Sequence, residues 1–110
     1  MKVAYVFSST TSQKILSTMI IPQLEEGTHG ADVAGMFFFM DNTFFLLKGT
    51  EMGERLRQIQ EVNGMLLMAC DKCAIERGIE DSLIPGAGIG CFPQLYAALG
   101  GAGVDQVITL

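Results

Sequence analysis

Tryptophan is absent from this chain, and histidine occurs once, as His29. Without an indole there is no Trp to stack on a flavin, and one imidazole leaves a zinc site dependent on thiolates. Basic residues are scarce too: seven Lys and Arg stand against twelve Asp and Glu, a formal net charge of −5. Lys48, Arg55, Arg57, Lys72 and Arg77 are scattered and make no patch. A nucleic-acid partner therefore has no electrostatic basis. Cysteine occurs only three times, an odd number, which is no secreted disulfide framework. A reducing cytoplasm is the expected location. An unbroken membrane-length run is also missing. Ser82 to Val104 carries no charge, but Pro85, Pro93 and six glycines interrupt it. The opening, Met1 to Ser8, is too short for a signal-peptide core. No membrane partner is expected.

What is present suits one α/β domain over residues 1–110, with 49% hydrophobic residues and no low-complexity tract. Lys2 to Phe7 reads as the first strand. The hydroxyl-rich Ser8-Ser-Thr-Thr-Ser12 follows and can cap a helix marked by Ile15, Leu16, Met19 and Ile20. Pro22 should kink or restart that helix, and Gly27 to Gly30 end it. Val33 to Met40, centred on Phe37-Phe-Phe39, reads as the second strand and stops at Asp41-Asn42.

Phe44 to Leu47 places four large apolar residues in a connection, where exposure is the default, so a pocket wall or subunit interface is expected there. Thr50 should cap a helix whose buried face holds Met52, Leu56 and Ile59. Met65 to Ala69 is an apolar run leading into Cys70, a strand buried on both faces. Asp71 then offers an N-cap and Gly78 a stop. Ser82 to Ile84 reads as a short fourth strand, and Gly86 to Gly90 as a flexible loop. Pro93 fits the first turn of a helix over Gln94 to Leu99, which Gly100-Gly101 close. Val104 to Leu110 is the last strand.

Alternating strand and helix means a parallel sheet covered on both faces, a three-layer α/β/α sandwich. Ligands in such sheets bind beyond the carboxyl ends of the strands. That rule places Ser8–Ser12, Asp41–Asn42, Cys70–Cys73 and Gly86–Cys91 on one rim, with His29 at the opposite end. Ser8, Ser9, Thr10, Asp41, Asn42, Gly88, Gly90 and Cys91 are then the candidate substrate-binding residues. Cys70 and Cys73 are the candidate chemical ones. At a strand-to-helix junction, free amides and the helix dipole favour a thiolate, so Cys70 is expected to be reactive. The competing reading is a packed, inert cysteine.

Cys70-Asp-Lys-Cys73 matches C-x-x-C. A zinc site would lack a fourth ligand, since only Cys91 could join, and no metal or cofactor is expected. A thioredoxin-type role is misplaced, because the motif follows the third strand. A phosphatase or sulfurtransferase loop needs Arg six positions after its cysteine; here that place holds Glu76, and Arg77 comes one later. The Ser8–Ser12 loop resembles a flavodoxin phosphate loop in its hydroxyls but lacks the internal glycine.

Taken in order, Val3-Ala-Tyr-Val-Phe-Ser8, Gly30-Ala-Asp-Val33, Phe37-Phe-Phe-Met-Asp41 with Phe45-Leu-Leu-Lys-Gly49, Gly64 with Ala69-Cys70 and Arg77-Gly78, and the ending Ala102 to Leu110 resemble the DsrE/DsrF/DsrH-like family, which includes TusD-type sulfur-relay subunits. The resemblance spans nearly the whole chain. It implies a five-stranded, mainly parallel sheet in a Rossmann-like sandwich, and trimers or hexamers. It also implies a cysteine at the place of Cys70 that accepts sulfur as a persulfide and passes it on, between donor and acceptor proteins. Cys73 and Cys91 depart from the usual carrier pattern. They could resolve a persulfide as a disulfide, bind a metal or do nothing. The expected function is a cytoplasmic sulfur carrier or sulfurtransferase acting through Cys70. Two other readings stand beside it: a non-catalytic oligomeric subunit, and a Cys70/Cys73 thiol–disulfide switch.

Overall fold

The computed structural model describes residues 1–110. Its five strands are β1 (Lys2–Phe7), β2 (Asp32–Phe38), β3 (Leu66–Cys70), β4 (Ala87–Gly90) and β5 (Gln106–Thr109). Its helices are α1 (Thr11–Ile15), α2 (Ile21–Glu26), α3 (Glu51–Asn63), α4 (Asp71–Glu76) and α5 (Phe92–Ala102). The strands form one sheet in the order β4-β3-β2-β1-β5, and every pairing is parallel.

The chain steps in one direction from β1 to β4, so right-handed crossovers put α1 to α3 on one face. It then reverses, carrying β5 to the far side of β1 and α5 to the other face. The result is the expected three-layer sandwich. Strand alternation divides the side chains accordingly. Val3, Tyr5 and Phe7 of β1 join the main core with Leu16, Ile21, Phe38, Leu56 and Leu67. Ala4 and Phe37 turn the other way and pack with Leu95 of α5. A register shift beside Val3 and Ala4 pairs them with Val33 and Gly35, leaving Ala34 as the extra residue. This irregularity lets both Val33 and Met36 reach the main core. Each large side chain removed from water this way contributes about 1.5–3 kcal/mol.

Pro22 acts as expected. It occupies the first turn of α2, and a π-helical turn (Leu16–Ile20) joins α1 to α2. Proline has no N–H to donate, so the widened turn absorbs the missing bond. Thr50 caps α3 by accepting the Gly53 N–H at 3.1 Å. Gly64 closes that helix with φ +73°.

Three expectations need correction. The fourth strand is Ala87–Gly90, not Ser82–Ile84. Leu83 makes only an isolated antiparallel bridge to Leu47, while the glycine-rich stretch pairs along β3. Edge placement tolerates its low β-propensity, because pairing with β3 decides the matter. Helix α5 runs through Gly100 and Gly101 and stops at Gly103, where φ is +65°. Cys70, not Asp71, is the N-cap of α4. At 44–47 the expected pocket wall is formed by Phe44 and Phe45, which line a cavity, while Leu46 belongs to the core. A 3₁₀ turn (Met40–Leu46) buries Leu46 completely and packs Phe45 on Phe38, with ring centroids 6.3 Å apart; only Phe44 is well exposed.

Candidate functional site

Cys70 ends β3 in extended geometry and turns directly into α4. In the sheet it pairs with Gly90, the last residue of β4. Cys91 is therefore the next residue beyond Cys70's partner, on the same rim. The Cys70 sulfur, the Cys91 sulfur and an Asp71 carboxylate oxygen all lie within 4.8 Å of one another. All three cysteines are free. Cys70 is 6% and Cys73 8% exposed, whereas Cys91 is half-buried. The Cys73 thiol also neighbours Cys70, and its sulfur lies 3.9 Å from the Met40 sulfur.

The expected thiolate at Cys70 is not supported. Burial pushes its thiol above the ordinary value, and the neighbouring Cys73 thiol adds to that shift. Backbone N–H groups of Cys73 and Lys72 pull the other way without prevailing. Helix α4 has only six residues, so little dipole builds up behind the amides. Asp71 is in its first turn and accepts the Lys72 N–H at 2.7 Å.

The remaining rim residues divide into groups. The Ser8 and Ser9 amides donate to the Leu110 carbonyl at 2.7 and 3.2 Å, so they are not free to receive an anion. Ser8 Oγ makes a bond to the same carbonyl. Thr10 stands at the N-cap of α1, yet its side chain caps nothing. Asn42 is a structural pin. It is 1% exposed, donates to the Ser9 carbonyl at 3.1 Å and accepts from Ser12 Oγ at 3.2 Å. Gly88 pairs with Met68 in the middle of β4, away from the rim, and Gly86 lies at the strand's other end. Gly90 is at the site; a Cβ there would come 2.7 Å from that of Gln94. Gln94 accepts the Cys91 N–H at 2.8 Å and closes a capping box at the head of α5.

Two residues at the site have no obvious mark in the sequence. Arg77 donates to the Cys73 carbonyl at 3.1 Å and forms an ion pair with Asp41 at 2.8 Å. It thus ties α4 to the turn after β2, a role its place in the sequence does not show. Met40 holds a positive φ of 55°, uncommon without glycine, and lies against Cys73.

A cavity of about 1010 Å³ lies at the other end, lined by His29, Gly30, Asn63 and Gly64 among others. His29 is indeed remote from the cysteines, bonded to the Tyr5 hydroxyl at 2.8 Å. A smaller cavity of about 580 Å³ flanks the cysteine rim, between Thr10, Asp41, Phe44 and Thr50. Neither cavity is lined by a cysteine.

Fold and site together define a parallel α/β domain with a buried thiol at a strand end. The model of the DsrE/DsrF-like family matches residues 1–109, and the chain belongs to that family. The structure is similar to that of the ychN protein from E. coli, with a TM-score of 0.69 and 22% identity, covering 99% of this chain and 97% of that one. It is also similar to MTH1491 from Methanobacterium thermoautotrophicum, a protein of unknown function, with a TM-score of 0.67, 13% identity and the same coverages. At these identities the likeness concerns the fold alone. No curated protein sequence matches the chain. No helix is long and apolar enough to cross a membrane.

Proposed function

We propose that this protein has a sulfur-relay-type role and carries sulfur as a persulfide on Cys70. Membership of the DsrE/DsrF-like family supports the general role. The observation that carries the specific reading is the placement of Cys70 at the carboxyl end of β3, beside a second thiol and a carboxylate. The Cys70 sulfur attacks the terminal sulfur of a donor persulfide. The donor's S–S bond breaks, its thiolate leaves, and Cys70 holds the sulfane sulfur. The step exchanges one S–S bond for another, so no oxidant is needed.

Burial gives this site a particular character. A thiol that keeps its proton reacts slowly with solutes, which favours donors that dock over diffusing thiols. Once loaded, the terminal sulfur stands about 2 Å beyond Sγ, closer to the rim. The partners in this reading are a sulfur-donor protein, an acceptor protein and further copies of the chain in a trimer or hexamer, in the cytoplasm. Incubation with a persulfide donor should add one sulfur atom to the peptide containing Cys70, read by mass spectrometry. Cys70→Ser should abolish the adduct. Absence of any adduct in the wild type would refute the reading.

The low exposure of Cys70 and Cys73 favours one alternative, a non-catalytic subunit whose cysteines are merely packed. In that case Cys70 takes up no sulfur even from a donor at high concentration.

A further inference from the structure

Two thiols flank Cys70, and their surroundings differ. Cys73 also neighbours Cys70, but it is 8% exposed and its sulfur rests on that of Met40, away from solvent. Cys91 is half-buried, and its sulfur shares a 4.8 Å cluster with the Cys70 sulfur and the Asp71 carboxylate. The closeness follows from the sheet. Cys70 pairs with Gly90, parallel strands run about 4.8 Å apart, and Cys91 is one residue further on. The Gln94 side chain holds the Cys91 N–H at 2.8 Å, fixing the backbone of this residue at the head of α5. The two sulfurs already lie within 4.8 Å of one another, against about 2 Å in a disulfide bond.

We infer that Cys91, not Cys73, is the resolving thiol of this site, and that it discharges the Cys70 persulfide as hydrosulfide. The inference rests on the persulfide reading of Cys70. The Cys91 sulfur attacks Cys70 Sγ and forms a Cys70–Cys91 disulfide. The persulfide S–S bond breaks, and the terminal sulfur leaves with the electron pair. The proton lost by Cys91 ends on that hydrosulfide. The sulfane sulfur is reduced, and the two cysteines are oxidised by the same two electrons. A small thiol or dithiol reductant then reopens the disulfide by exchange. The arrangement adds an activity to the carrier role: reduction of sulfane sulfur to sulfide, with release on the more exposed side of the site. An acceptor protein that takes the sulfur directly competes with Cys91 for the same persulfide.

Two measurements separate this inference from the reading beneath it. The first needs no sulfur donor and no variant. Wild-type protein oxidised with diamide is digested without reduction, and its disulfides are mapped. A Cys70–Cys91 linkage is expected; a Cys70–Cys73 linkage, or none involving Cys91, overturns the inference. In the second, protein loaded by a persulfide donor is freed of excess donor and followed for sulfide. Wild type and Cys73→Ala should release sulfide as the disulfide forms, whereas Cys91→Ser and Cys91→Ala should keep the persulfide. Equal release from the Cys91 variants and wild type overturns the inference while leaving the carrier reading intact. If no variant loads sulfur, the carrier reading fails, and with it the discharge step.

Discussion

Gly53 tests whether the structure overrides local propensity. It is the third residue of α3, and replacing a helical glycine with alanine ordinarily gains about 1 kcal/mol. Here a Cβ would stand 2.1 Å from the Leu47 carbonyl oxygen and 2.8 Å from Thr50 Oγ1. Even carbon–carbon contacts settle only at about 3.5–4.0 Å. The closest obstacle is backbone, so no rotamer change relieves it. The connection from Leu47 to Thr50 must shift, and that connection carries the cap. Thr50 Oγ1 donates to the Leu47 carbonyl at 2.8 Å and accepts the Gly53 N–H at 3.1 Å. Losing a cap costs about 1 kcal/mol, and overpacking adds about 1–3 kcal/mol. After subtracting the propensity gain, Gly53→Ala should destabilise by about 1–3 kcal/mol. Gly101 is the control. It is also helical, but a Cβ there meets nothing within 4 Å. Gly101→Ala should therefore stabilise by about 0.4–1 kcal/mol. Calorimetry reads both, at roughly 4–8 °C per kcal/mol in a domain near this size. A Gly53→Ala midpoint at or above wild type would refute the steric argument.

Burial raises the Cys70 thiol, and an ordinary thiol near pKa 8.5 is only about 3% ionised at pH 7, so Cys70 should alkylate more slowly than free cysteine at neutral pH. Its rate should still climb at pH values where free cysteine has levelled off; iodoacetamide kinetics with peptide mapping check this, and a Cys70 faster than free cysteine at pH 7 refutes it. The same shift has a stability consequence. The folded state holds this proton longer than the unfolded chain, so the contribution is present below about pH 8.5 and lost as pH rises through the higher folded value. Cys70→Ser should remove that part of the alkaline loss seen in denaturant melts. Phe44 is 42% exposed while Phe45 packs on Phe38, so Phe44→Glu should leave the fold intact and reduce particle size in light scattering if this patch joins copies. Unchanged size in a folded Phe44→Glu removes Phe44 from any interface. Zinc should be absent at stoichiometric level in purified protein, because Cys70, Asp71 and Cys91 make three ligands where a structural site closes with four. One tightly held equivalent by elemental analysis, lost in Cys91→Ser, would reverse this.

The sequence by itself determined the class of fold and the rim. Apolar runs at 2–7, 33–40 and 65–70 separated by helical periodicity leave a parallel sheet as the economical way to bury both. Strand ends then bring Ser8, Asp41 and Cys70 to one side, and put His29 on the other. Local chemistry sufficed as well for the Thr50 cap and the Gly64 stop, which depend only on neighbouring residues. Tertiary structure decided the rest. The stretch Ala87-Gly-Ile-Gly90 has poor strand propensity, and only the open edge of β3 makes it a strand. The strand-end rule put Cys91 on the rim with Cys70, but because that pairing is non-local only the structure brings its sulfur within 4.8 Å of Cys70 and Asp71. The 3₁₀ turn likewise rotates Leu46 into the core and leaves Phe44 outside. The protonation of Cys70 belongs to the same category. Helix position argues for a thiolate, but the desolvation that outweighs it exists only once the surrounding chain has closed over the sulfur.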